Sequence, residues 1–412
     1  MKRFLPVLGA LVLVAAVVAV VVWQRSDTAP PSTASGAVVL QYADGSQLWR
    51  TGDPETPVVK QVVQELGGKA LVSLDQLRTG GGAIVVTTID PRAQSGAVDV
   101  IRTAAAGEPA SLRYSITAVD PNNGAVKAYA PGNDPAVDYA GGVLKEPGPA
   151  FFPFNVVAAL QSGKTLDSTY DGRSPRTFGE VTISDSANCG ERCTVRDALR
   201  KSGSVAMYDL VTNDVGIMPV VTAARQAGVP ESVHVDGKKT SLLVGEGGGT
   251  PNADMALGEK EARMRPLDLA AAYSAFASEG TQRVAHFITH VTDVNGATLY
   301  RAVNPAKPAF DQDPARSKDI ASQINAALQD GEACSNYPNT RCRHGEWRPK
   351  GLDQTTVAHA WMVGYSPQMS VAVFVGGDRP TTPAVDSQGR AVVGSGLPKA
   401  LWRAFEQKLT QW

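Results

Sequence analysis

The sequence predicts an α+β fold, an antiparallel sheet flanked by helices, on three observations. Short β-branched runs are joined by tight turns, with Asp44-Gly45 and Asn123-Gly124 at two of them. Runs with helical spacing follow one another between those strands instead of alternating with them one for one, which argues against a parallel sheet. The chain has 412 residues, 43% hydrophobic and 19% charged, enough for a large core or two folded units.

Residues 4–23 carry no charge and no amide and follow Lys2 and Arg3. Twenty residues as a helix span roughly 30 Å, the thickness of a bilayer core. The basic flank predicts a cytoplasmic N-terminus, with Trp23 at the outer interface and the rest of the chain outside. A cleaved signal peptide is the rival, but Trp23, Gln24 and Arg25 are not a small-x-small cleavage site. Residues 24–37, rich in Ser, Thr, Ala and Pro, read as a linker.

Residues 38–110 are expected to form a small membrane-proximal module. In it, residues 38–42 and 47–50 make a hairpin about Asp44-Gly45, residues 58–66 have helical spacing, and residues 83–89 are a β-branched strand ending at Asp90-Pro91. The main unit, residues 111–412, opens with a second hairpin, 112–119 and 125–129, about Asp120-Pro121-Asn122-Asn123-Gly124. Helical spacing then covers 151–161, 195–201, 206–213, 220–227 and 267–277. Strands return at 286–294, 360–364 and 369–375, before a closing helix at 398–409.

Thirty-nine Lys and Arg against forty Asp and Glu remove the electrostatic drive for nucleic-acid binding. Gly163-Lys164-Thr165 lacks the first glycine of a phosphate-binding loop and follows a helix rather than a strand, so no nucleotide is expected. His286 and His290 would share a strand face without a carboxylate or thiol at ligand spacing, and no metal or other cofactor is expected. The cysteines fit an oxidising compartment. Cys189 with Cys193 and Cys334 with Cys342 is the simplest pairing, and the other two connectivities remain open.

Several segments, in order from about residue 85 to the C-terminus, resemble the transpeptidase domain of penicillin-binding proteins, particularly the bifunctional ones. They are Thr87-Thr88-Ile89-Asp90-Pro91, the run Ala118 through Asp120-Pro121-Asn122-Asn123-Gly124, Glu146-Pro147-Gly148 with Phe151, Pro153 and Phe154, Arg265-Pro266-Leu267-Asp268, Ala360-Trp361-Met362-Val363-Gly364-Tyr365, and Leu397-Pro398 with Trp402. The resemblance implies a serine transpeptidase or β-lactamase-like fold and acyl transfer on peptidoglycan stem peptides. It implies three motifs: Ser-x-x-Lys for the nucleophile and its proton partner, Ser-x-Asn for proton relay and orientation, and Lys-Thr/Ser-Gly on an edge strand for the substrate carboxylate.

In register with the flanking match, Pro149 stands at the nucleophile position and Phe152 at the lysine position. No serine in the chain has a lysine three residues later. The second motif falls on Ser202-Gly203-Ser204, whose serines also read as N-caps of the following helix. Counting back from Ala360-Trp361 puts Lys350-Gly351-Leu352 at the third. The expectation is therefore a single-pass membrane protein whose outer domain has lost acylation chemistry and acts by binding stem peptides or a cell-wall synthase. The rivals are an active D,D-transpeptidase or carboxypeptidase using Ser202 with Lys350, and a noncovalent β-lactam sensor.

Overall fold

The computed structural model describes residues 36–410 apart from 135, 186, 236, 330–339, 350–354 and 380. The apolar run 4–23 lies outside them, and among the described residues no helix is long and apolar enough to cross a membrane.

Two five-stranded sheets organise the chain. The larger is wholly antiparallel, in the order Arg341–Trp347, His359–Tyr365, Ser370–Gly377, Leu112–Val119, Val126–Ala130. Its strands His359–Tyr365 and Ser370–Gly377 are buried at every position, because helices cover both faces of the sheet. One face packs against helices Pro91–Gly107 and Leu397–Thr410 through Ala97, Ile101, Leu401, Trp402 and Phe405. The other packs against Pro266–Ala277, where Pro266 to Phe276 are all buried, as expected of a helix apolar on every side. Arg265 and Asp268 fix its first turn, with a 2.6 Å ion pair and an Asp268 oxygen accepting from the Arg265 N–H. Helix Phe152–Gln161 lies in the same core, buried from Phe152 to Leu160.

The smaller sheet corrects one expectation, since a boundary at residue 110 does not separate two units. Strand Ala83–Thr87 pairs in parallel with Val38–Gln41 on one side and antiparallel with Ile288–Asp293 on the other. Without that distant strand, Ala83–Thr87 would present an unpaired edge. Glu65, at the end of helix Pro57–Glu65, adds a second tie, its buried carboxylate accepting from the N–H groups of Phe287 (2.9 Å) and Ile288 (3.3 Å). Helix Pro91–Gly107, capped by the Asp90 carboxylate on Arg92 and Ala93 N–H, lies on the larger sheet and not with the residues before it.

Two measurements check this packing. A Cβ added to Gly364 would stand 2.2 Å from two ring carbons of Trp402. Gly364→Ala is therefore expected to lower the unfolding free energy by about 1–3 kcal/mol in denaturant titration. Burial pushes the Glu406 carboxyl up to about 7 from an ordinary 4.5. A raised folded pKa gives stability that is full below the unfolded value and lost as pH rises through the folded one. Glu406→Gln should thus gain on the native chain, by on the order of 3 kcal/mol, between pH 4 and 8.

Candidate active site

The turn that opens helix Phe152–Gln161 sits against an edge strand. Gly148, at φ 54, has Glu346 carbonyl oxygen where a Cβ would stand, and Gly345 on strand Arg341–Trp347 has the Pro147 oxygen in the same relation. Both positions therefore require glycine. The turn is held from below by two donors on one acceptor, His359 Nε2 and Trp361 Nε1, each 2.8 Å from the Glu146 carbonyl oxygen. Burial holds the His359 imidazole down to about 3, hence neutral, and it stacks on Trp347 at 5.1 Å.

This geometry brings four of the five expected site positions together. Pro149 is half-buried and offers only its carbonyl, while Phe152 is fully buried. Ser202 ends helix Val195–Lys201 in a left-handed conformation (φ 60, ψ 38), and Ser204 opens helix Ser204–Asp209. Lys350 lies outside the described residues.

The residue that joins the rest is Arg343, which is 3% exposed. Its guanidinium donates from Nε to the Pro149 oxygen (3.1 Å), from Nη1 to the Arg200 oxygen (3.3 Å) and from Nη2 to Ser202 Oγ (2.8 Å), and lies 5.5 Å above the Phe152 ring centre. Among the described residues Arg343 has no ion-pair partner. Burial lowers its pKa to about 10, which leaves it protonated at neutral pH. The strand beside Pro149 thus carries Arg343-His344-Gly345, a basic, polar, glycine triplet that counting for a literal lysine passes over. Strand pairing was the signal, since Arg343 sits opposite Val363 and Gly345 opposite Trp361. On the other side of the strand His344 Nδ1 meets Glu346 Oε1 at 3.2 Å, and that oxygen accepts from Gly394 N–H at 2.8 Å.

The serines are not N-caps. Ser204 Oγ is 3.4 Å from the Ser202 oxygen, Gly203 holds the cap position without a side chain, and Asp185 bonds the free Val205 N–H at 3.0 Å from a distant loop. Disulfide Cys189–Cys193 lies beneath this wall, with Cys189 Cβ 3.6 Å from where a Gly203 Cβ would stand. Cys342, next to Arg343, is also disulfide-bonded, and Cys334 lies outside the described residues. His286 precedes strand Ile288–Asp293 and bonds near Val284 and Asn304, whereas His290 lies within the strand. Among the described residues no group of His, Cys, Asp and Glu is arranged to hold a metal.

Chemically, this site has no hydroxyl at 149 and no amine at 152. Of its two remaining hydroxyls, Ser202 is bonded to a cation that cannot take its proton, and Ser204 faces the Ser202 carbonyl oxygen at 3.4 Å, an acceptor without a titratable base. The edge strand, the turn at Pro149 and the segment at Ser202 are joined through one guanidinium.

The family model "Penicillin binding protein transpeptidase domain" matches residues 114–392. Penicillin-binding protein 1A of Mycobacterium tuberculosis is 33% identical over 364 residues, covering 86% of this chain and 43% of the relative. Penicillin-binding protein 1A of Mycolicibacterium smegmatis is 32% identical, with 86% and 45% covered. The chain thus spans less than half the length of these relatives. The solved penicillin-binding protein PonA1 of M. tuberculosis is 31% identical with a TM-score of 0.75, covering 85% of this chain and 89% of that one. Its complex with penicillin V gives 31% and 0.76, covering 87% and 94%. With the fold, the order of its segments and the family model in agreement over more than half its length, this chain belongs to the penicillin-binding protein transpeptidase domain family.

Proposed function

We propose that this protein is a noncatalytic member of its family, anchored in the cell membrane through residues 4–23 with its folded part outside, and that it supports or regulates peptidoglycan assembly by binding. The observation that carries the reading is the replacement of nucleophile and proton partner by Pro149 and Phe152, with Arg343 seated on both. Losing the nucleophile of a serine acyl enzyme costs on the order of 10⁶ in turnover. A neighbour does not supply the missing group, because Ser202 Oγ accepts a hydrogen bond from a protonated arginine instead of facing a base.

Between the two ligand classes, stem peptides and a cell-wall synthase, the site favours the synthase. A stem peptide would have to enter between the edge strand and the Ser202 wall, and Arg343 spans that space. Opening it would strip the acceptors from a buried guanidinium, at about 1–3 kcal/mol for each group left unsatisfied. A synthase can dock on outer surfaces without that cost.

Fluorescent penicillin at a concentration that saturates an intact penicillin-binding protein should leave no covalent label on the full chain in a denaturing gel. Labelling that vanishes in Ser202→Ala would establish the active-enzyme reading in its place. Titration with muropeptides should show no saturation, whereas a purified synthase of the same cell wall should give a saturable isotherm. Ser202→Ala should also cost about 1–3 kcal/mol of stability, and more than Ser204→Ala, because it strands a donor of Arg343; urea unfolding of the two variants measures the difference.

A further inference from the structure

On the opposite face of the larger sheet from Arg343, helices Pro91–Gly107 and Leu397–Thr410 leave a groove of about 580 Å³. Its floor is aliphatic and mostly short: Val100, Ala104, Leu397, Ala400, Leu401 and Ala404. Longer residues of the same helices, Ile101, Trp402 and Phe405, turn inward to the sheet, so the alanines are what make the trough. Its rim is charged. Asp99 is held by Arg102 at 2.7 Å, which leaves Lys408 as the rim charge without an opposing carboxylate in the groove lining. The groove lining thus carries two basic residues, Arg102 and Lys408, against one acidic residue, Asp99, in a chain whose net charge is -1.

We propose that this groove is the docking site for one amphipathic α-helix of a partner protein, apolar on the face that enters and acidic on its flanks. Charge complementarity selects the acidic flanks. The trough between two packed helices selects a helix, because a third cylinder fits there ridge into groove, whereas an extended peptide needs an unpaired sheet edge that the groove does not offer. The walls, 17 and 14 residues long, run about 20–25 Å, room for roughly four helical turns. The proposal supplies the docking face for the binding role above and rests on that reading only for its purpose. Its test is independent of penicillin labelling.

The probe is a fluorescein-labelled helical peptide of about sixteen residues made of Glu, Leu and Ala, with a counterpart in which Lys replaces each Glu. Anisotropy titration of the full chain in detergent should show the acidic peptide binding at least about tenfold more tightly than the basic one. Ala404→Trp, which fills the trough, and Lys408→Glu, which reverses the rim charge, should each weaken binding about tenfold. Ala106→Trp, on the exposed side of the first helix, should leave it unchanged. Should Ala404→Trp fail to fold, as judged by its melting curve, Lys408→Glu decides. Equal affinity for the two peptides, or indifference to Lys408→Glu, overturns the proposal. So does Lys408-dependent binding of phosphatidylglycerol vesicles in the absence of peptide binding, which would make the face a membrane contact.

Discussion

A guanidinium taken out of water must find acceptors for donors that lie in one plane, and it finds them only where the backbone has been shaped to supply them. Arg343 meets this requirement without a carboxylate, on the ends of two helical segments and one hydroxyl. The acceptors come from two places far apart in sequence, residue 149 before one helix and residues 200 and 202 at the end of another, and the donor comes from a third, the edge strand that carries the arginine. The position of each wall is therefore tied to the others. The left-handed Ser202 presents its hydroxyl to the cation, while the glycines at 148 and 345 let the turn and the edge strand approach backbone to backbone.

The surroundings of the cation are packed aromatic core. Phe152 puts an aromatic face under the charge, where a cation–π contact offsets part of the desolvation, and its neighbours Phe151 and Phe154 continue into the core with Tyr273 and Phe276. Both regions that hold disulfide cysteines adjoin this contact, Cys342 by sequence and Cys189 through Gly203. Nothing in this packing needs a reactive group. It needs volume, acceptors and rigidity, which proline, phenylalanine and serine provide.

Much of this was legible in the sequence, and the exceptions have physical reasons. The hairpin Leu112–Val119 with Val126–Ala130, the helices Phe152–Gln161 and Val195–Lys201, and the closing helix all follow from turn chemistry and periodicity, because local signals determine them. The helices Pro91–Gly107 and Pro314–Gln329 were not read, although Asp90-Pro91 is a good helix start. The parallel pairing of Val38–Gln41 with Ala83–Thr87, and the pairing of that strand with Ile288–Asp293, could not be read at all, since partners about 45 and 200 residues away leave no local trace. Two site features were missed for related reasons. The serines at 202 and 204 look like caps in sequence, but the true cap, Asp185, comes from a distant loop. The third motif was sought as a lysine, and its place on the strand is held by an arginine that only strand register reveals.

The central claim is that Arg343 closes the cleft over a site with no nucleophile. A crystal structure of residues 36–412 soaked in penicillin V tests it most directly. The account predicts an unmodified site, with Arg343 still bonded to the Pro149 oxygen and Ser202 Oγ and no density joined to any side chain. Continuous density from a serine to an opened β-lactam ring, or Arg343 swung out with the drug in its place, would contradict it.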